Sequence, residues 1–218
     1  MLVTALIFDM DGVIVDSTAI HTQAWRVYLR ERGLVVDNIE SRMLGKHNDE
    51  IVRDFFPTQT LTRELIQEHG NRKEAVYRSL MSPVLEQKLV PGIREFILRH
   101  CDRPLGVATN AEPGNVNFVL DATGLRRCFG AVVDGHQVTR PKPFPDIYVE
   151  VAKQLGYAPG DCVVFEDSAT GVQAARAAGM RVVGVSTTLF DLADVDMTIR
   201  DFLDPRLEPW LQELTVSL

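Results

Sequence analysis

The hydrophobic positions of this chain fall into two kinds of stretch. Five short runs rich in β-branched residues are almost continuously apolar, over 3–9, 105–110, 130–135, 162–167 and 181–186. They do not alternate polar with apolar, which marks strands covered on both faces in a parallel sheet. Between the later runs, apolar residues recur at helical spacing over 93–101, 115–123, 147–155 and 171–178. Strands alternating with helices build right-handed βαβ units, so the pattern predicts an α/β protein around a doubly wound parallel sheet.

The alternation breaks once. Between the first run and residue 105 there is no convincing strand, and the periodicity predicts helices over 21–31, 49–56, 62–69 and 73–80. A structureless connection of that length is implausible inside a domain. An inserted helical subdomain is the economical reading, with hinges near 15–17 and 88–92, where Pro91-Gly92 punctuates the return. The expected division is 1–16 with 89–218 as the core and 17–88 as the insert. Near the end, Pro205 and Pro209 bracket Trp210, which predicts a closing helix packed on the core.

Composition narrows the function. Hydrophobic residues make up 45% of the 218, ample for a core that needs no disulfide or structural metal. Cys101, Cys128 and Cys162 lack paired spacing and read as buried free thiols, which fits a reducing cytoplasm. With 23 basic and 30 acidic residues the net charge is −7, which argues against non-specific nucleic-acid binding. A small anionic substrate stays compatible with that sign, because a local pocket can oppose the net charge. No basic start precedes a long apolar stretch, so neither a signal peptide nor a membrane span is expected.

Four groups of polar residues stand at the carboxyl ends of predicted strands. Asp9 and Asp11 follow the first, Thr109 and Asn110 close the second, and Glu166 and Asp167 close the fourth. Lys142 lies in the loop RPKPFPD after the third. In open α/β sheets ligands bind outside the carboxyl strand ends, so all four groups are candidates for one crevice. Each has a plain alternative. A strand-end Asp is often a cap or turn former, Asp167 or Ser168 suits a helix N-cap, Thr109 is a good strand residue, and Lys142 suits a surface. Joint placement favours chemistry. Gathered carboxylates demand a cation, and oxygen-only ligands suit Mg²⁺ shared with a substrate phosphate. Thr109 and Lys142 supply donors to phosphate oxygens. Asp9 is the natural nucleophile for an aspartyl-phosphate, and Asp11 the general acid and then base.

These residues resemble the haloacid dehalogenase superfamily of phosphotransferases. Asp9-Met10-Asp11-Gly12-Val13 matches its first motif, GVATN ending on Thr109 its second, Lys142-Pro143-Phe144-Pro145-Asp146 its third, and Glu166-Asp167-Ser168 with Gly171 its fourth. The resemblance spans nearly the whole chain. It implies a Rossmannoid core with strand order 5-4-1-2-3, a helical cap of the C1 class, and a metal site of Asp9, Asp11, Glu166 and Asp167. The β-phosphoglucomutase branch is the most similar. On that likeness Asp16, Ser17, His21 and Trp25 match the segment after the nucleophile, and Lys73 matches a cap lysine. Gly45, Lys46 and Asn48 fall in a substrate-contacting loop; Asn48 stands where that branch has a phosphate-gripping arginine, with Lys46 and Arg53 the nearby cations. His21, Trp25, Gly45, Lys46, Asn48, Lys73, Thr109, Asn110 and Lys142 are thus the implied substrate contacts.

The expected activity is Mg²⁺-dependent hydrolysis of a small phosphorylated metabolite such as a sugar phosphate, by a cytoplasmic monomer or weak dimer. The cap is expected to close over the substrate and set specificity. The alternative within the family is a β-phosphoglucomutase, which must hold a second phosphate. The rival from another class is a receiver-type phospho-acceptor domain, disfavoured by the order of the motifs and by the helical insert.

Overall fold

The computed structural model describes residues 4–43, 46, 48–187 and 192–216. The chain divides into two compact units, Met1–Asp16 with Lys88–Leu218, and Ser17–Gln87.

The first unit is built on a six-stranded sheet in which every neighbouring pair is parallel. Its strands are β1 (Ala5–Phe8), β2 (Leu105–Thr109), β3 (Ala131–Asp134), β4 (Cys162–Glu166), β5 (Arg181–Val185) and β6 (Met197–Ile199). Their order is β3-β2-β1-β4-β5-β6. This is the expected doubly wound order, with β6 added beyond β5. Hydrophobic patterning missed β6, which has only three residues and buries Ile199 but exposes Thr198.

The run Ala5-Leu6-Ile7-Phe8 is fully buried because side chains alternate between two covered faces. Ile7 joins one core with Ala108, Val133, Tyr148, Val151 and Val164. Phe8 joins the other, stacked on Phe165 at 4.8 Å between ring centroids and edge-on to Phe96 at 6.2 Å. Burial of each such side chain contributes roughly 1.5–3 kcal/mol, so the central strands are the rigid part of the unit. The helices of this unit are α6 (Ile93–Arg99), α7 (Pro113–Ala122), α8 (Asp146–Leu155), α9 (Ala169–Ala177) and the closing α10 (Leu207–Val216).

The second unit holds α1 (Thr18–Arg30), α2 (Ile39–Met43), α3 (Asn48–Phe55) and α4 (Arg63–Met81), with α5 (Leu85–Lys88) ending at its boundary. Trp25, Tyr28, Phe55, Phe56, Ile51 and Ile66 form its core. The helices expected over 62–69 and 73–80 are one helix, α4. Gly70 does not break it: Ile66, Lys73 and Tyr77 continue one buried face across the glycine. That packing outweighs the ~1 kcal/mol which glycine costs in a helix.

One expectation is corrected. Cys101 and Cys128 are not free thiols; they form a disulfide with the Cα atoms 4.7 Å apart. The end of α6 and the turn before β3 meet beside β2, a neighbourhood that linear spacing does not reveal. Cys162 is a buried free thiol. Among the described residues no helix is long and apolar enough to cross a membrane.

Candidate active site

The parallel register brings the strand ends together. β1 lies between β2 and β4, with Phe8 level with Val107 and Phe165. Asp9 therefore leaves the sheet beside Glu166, and its N–H donates to the Phe165 carbonyl at 3.0 Å. The chain then turns sharply. Ile14 and Val15 N–H both donate to the Met10 carbonyl, at 2.9 and 3.0 Å. Gly12 has φ +78° and N–H to the Val15 carbonyl at 2.7 Å. A Cβ at this position would also overlap the Asp167 carboxylate, so glycine is required twice.

Lys142 is the centre of the site. It is buried, and its ammonium donates to Asp9 Oδ1 at 2.8 Å, to the Ala108 carbonyl at 2.8 Å and to Glu166 Oε1 at 2.6 Å. Its own N–H donates to Asn110 Oδ1 at 3.3 Å, which ties its loop to the end of β2. Thr109 is buried, and its hydroxyl accepts from Ala111 N–H at 3.2 Å.

Asp9, Glu166 and Asp167 each offer a carboxylate oxygen, and these oxygens lie within 4.8 Å of one another. Asp11 is outside that group of three. The three acids differ in surroundings. Glu166 is fully buried and accepts five hydrogen bonds: Lys142 and Tyr148 on Oε1, and Asp167 N–H, Ser168 N–H and the Ser168 hydroxyl on Oε2. Burial alone would raise its pKa, but the Lys142 charge and these donors hold it below the usual carboxylate range. Asp9 goes the other way. Burial pushes it up to about 7, opposed by Lys142 and assisted by Glu166 and Asp11. Asp167 is raised well above its ordinary value by burial, then by Glu166 and Asp9. With all three acids ionised the cluster would carry more buried negative charge than one lysine balances, which is why two of them hold their protons more tightly. Its oxygen-only donor set and unbalanced charge fit a small hard dication.

The helical unit contains a second polar cluster. Lys73 Nζ lies 3.3 Å from His21 Nδ1, 2.5 Å from Glu74 Oε1 and 5.1 Å above the Trp25 ring. Asn48 Nδ2 donates to the same Glu74 oxygen at 2.8 Å. His21 stacks on Tyr77 at 3.9 Å between ring centroids. Four expected residues, His21, Trp25, Asn48 and Lys73, thus share one neighbourhood. Lys46 is not among them; it is exposed and 4.0 Å from Asp54. Gly45 lies outside the described residues.

Sequence reasoning missed Tyr148, Glu74 and Ser168's bond to Glu166. Tyr148 carried one signal: it lies on the apolar face of a helix beginning four residues after Lys142, and a buried tyrosine hydroxyl needs a partner. Glu74 carried none, since neighbours in a helix do not normally face each other.

The sequence model of the haloacid dehalogenase-like hydrolases matches residues 3–179. The chain belongs to that family. A fructose-1-phosphate phosphatase of Escherichia coli, YqaB, is 37% identical over 183 residues, covering 83% of this chain and 95% of the relative. A β-phosphoglucomutase of Bacillus subtilis is 29% identical over 209 residues, covering 94% of this chain and 92% of the relative. The crystal structure of a β-phosphoglucomutase from Clostridium difficile superposes with a TM-score of 0.84 at 24% identity, covering 98% of both chains, and shares the fold. As a haloacid dehalogenase-like hydrolase with such relatives, the chain is an enzyme of the phosphatase and phosphomutase type.

Proposed function

We propose that this hydrolase cleaves a small phosphate monoester, with a sugar monophosphate as the favoured class, through an aspartyl-phosphate on Asp9. The observation that carries the reading is the buried Asp9 carboxylate, held by Lys142 beside Glu166 and Asp167. An Asp9 oxygen attacks phosphorus as the ester P–O bond breaks, and the leaving oxygen takes a proton from Asp11. Water then attacks the same phosphorus and gives its proton to Asp11, the new P–O bond forms, and Asp9 is released. Lys142 holds anionic phosphoryl oxygens in both steps, with Thr109 and Asn110 as hydrogen-bonding neighbours.

Mg²⁺ is the proposed cofactor, held by Asp9 and Asp167. When bound it supplies charge that keeps Asp9 ionised and neutralises phosphoryl oxygens. Glu166 has its acceptor positions filled by five donors, so its proposed role is to order Lys142 and the β4 turn. The helical unit is the proposed cap, with His21, Trp25, Asn48 and Lys73 recognising the rest of the substrate. Gly45 and Lys46 belong to the same proposal.

A phosphatase is favoured over a mutase by one feature of that cluster. A mutase must grip a second phosphate, yet the charge of buried Lys73 is already met by Glu74, and Asn48 has no charge to offer. The name of the Escherichia coli relative supports the same direction. The test is a phosphate-release screen with Mg²⁺ over sugar monophosphates, including fructose 1-phosphate, beside Asp9→Asn. Release that disappears in Asp9→Asn, with the fold retained by circular dichroism, is expected. Turnover retained by Asp9→Asn overturns the mechanism. Conversion of β-glucose 1-phosphate to glucose 6-phosphate that outpaces phosphate release overturns the preference for hydrolysis.

A further inference from the structure

Glu166 and Lys142 meet a group that neither motif contains. Tyr148, on α8, is fully buried, and its hydroxyl donates to Glu166 Oε1 at 2.8 Å. That oxygen also accepts the Lys142 ammonium at 2.6 Å. The Tyr148 ring lies 4.9 Å from the same ammonium. The phenol thus touches the lysine by its face and the lysine's counter-ion by its hydroxyl.

We propose that Tyr148 is a positioning residue for phosphoryl transfer, whose hydroxyl shares Glu166 Oε1 with Lys142 and thereby keeps the ammonium at Asp9. The inference rests on the phosphoryl-transfer reading. Lys142 has three N–H bonds and three acceptors: Asp9, the Ala108 carbonyl and Glu166. The carbonyl is fixed in β2, so the ammonium can only move between the two carboxylates. With two donors on Oε1, Glu166 shares its charge between them. Without the phenol, the same oxygen has only the lysine to satisfy it, in a place water does not reach. The ammonium is drawn towards Glu166 and away from Asp9, where the reacting oxygens would be. Nothing touches the substrate directly through Tyr148, so the effect falls on the rate of the chemical step.

A purely structural tie between α8 and β4 would have the same bond and a different consequence, so the experiment separates the two. Tyr148→Phe keeps the ring and removes only the hydroxyl. With fructose 1-phosphate, or p-nitrophenyl phosphate if that sugar is not turned over, kcat is expected to fall about tenfold with KM within about twofold, the loss of one charged hydrogen bond. The second readout is the side-chain ammonium ¹⁵N resonance of Lys142 in the metal-free full chain, assigned by its absence in Lys142→Arg. It is expected to shift and to exchange its protons faster in Tyr148→Phe. The third is a double-mutant cycle: added to Glu166→Gln, Tyr148→Phe should cost less than about twofold further, because the path through Glu166 is already cut. An unchanged kcat and unchanged ammonium signal overturn the inference, as does full additivity in the cycle. Should Tyr148→Phe lose its fold, the ammonium signal of Glu166→Gln decides: an unmoved resonance overturns the inference. Asp9→Asn run alongside keeps the failures apart, since its inactivity upholds the mechanism whatever Tyr148 does.

Discussion

Substituting Gly171 by alanine tests how firmly the acidic cluster is built. Gly171 lies in the first turn of α9, where alanine should be the better helix former by about 1 kcal/mol. Its missing side chain faces the cluster instead: a Cβ there would overlap the carboxyl carbon and both oxygens of Glu166. Glu166 has nowhere to go, being wholly buried and bound by five donors. Moving it breaks at least the Lys142 and Tyr148 bonds to Oε1. At about 1.5–3 kcal/mol for each bond to a charged group, the loss is roughly 3–6 kcal/mol, offset by the ~1 kcal/mol of helix propensity. A net destabilisation of about 2–5 kcal/mol follows, or roughly 7–14 °C in Tm at the middle of that range for a chain of this size. Displacing Lys142 should lower kcat on the order of a hundredfold. The assay pairs thermal unfolding with phosphate release, using Gly160→Ala as control. Nothing lies within 4 Å of a Cβ at Gly160, so that variant should stay within about 0.5 kcal/mol of the parent. A Gly171→Ala protein as stable as the parent and fully active would refute the packing argument.

Three further outcomes are expected. The disulfide closes a loop of 27 residues, so reduction should lower stability by about 3.5 kcal/mol on the chain-entropy relation; thiol titration that finds every cysteine free before reduction would contradict it. His100 is held below its ordinary pKa by burial, against the pull of Glu208. Its unfolded form therefore takes up a proton first, and stability present above pH ~6.5 is lost as pH falls towards the folded pKa. Between about pH 7.5 and 5.5, urea midpoints of the parent should drop more than those of His100→Gln, and parallel profiles would rule this out. Glu74→Gln keeps an acceptor for Asn48 and leaves the Lys73 charge unmet. The ratio of kcat/KM for a hexose bisphosphate over a monophosphate should rise about tenfold, and an unchanged ratio would remove that cluster from substrate recognition.

The central strands were legible because their apolar runs are continuous, and Asp9 and Glu166 were legible because they end those runs. β6 was not, since Met197-Thr198-Ile199 is too short for a pattern and has one covered face. The pattern over 62–80 divided into two helices because local periodicity does not show that one buried face runs the length of α4. The Cys101–Cys128 pair was misread for a related reason: spacing along the chain is silent about which turns meet beside β2. The acids were found as residue types, but their different conditions were not. Which carboxylate is filled and which is raised depends on donors from α8, the β4 turn and the Lys142 loop, a matter of register.

That difference among the acids explains how one cluster can be both stable and reactive. Glu166 stays charged because five donors replace its water, and it anchors Lys142 permanently. For Asp9, which accepts from Lys142, and for Asp167, burial is the largest influence, and both hold protons more tightly than free carboxylates do. Keeping several carboxylates ionised in one buried place is costly, and a bound cation would offset that cost. On the proposed mechanism this is the useful division. The acid that never exchanges its partners sets the geometry, and the two that readily exchange a proton for a cation meet the substrate. A neutral replacement of Glu166 should then disturb Lys142 first and cation affinity second, whereas a neutral replacement of Asp167 should do the reverse. Comparing the Lys142 ammonium resonance in metal-free protein with the Mg²⁺ concentration needed for half-maximal turnover separates the two roles; identical responses in both variants would dissolve the distinction.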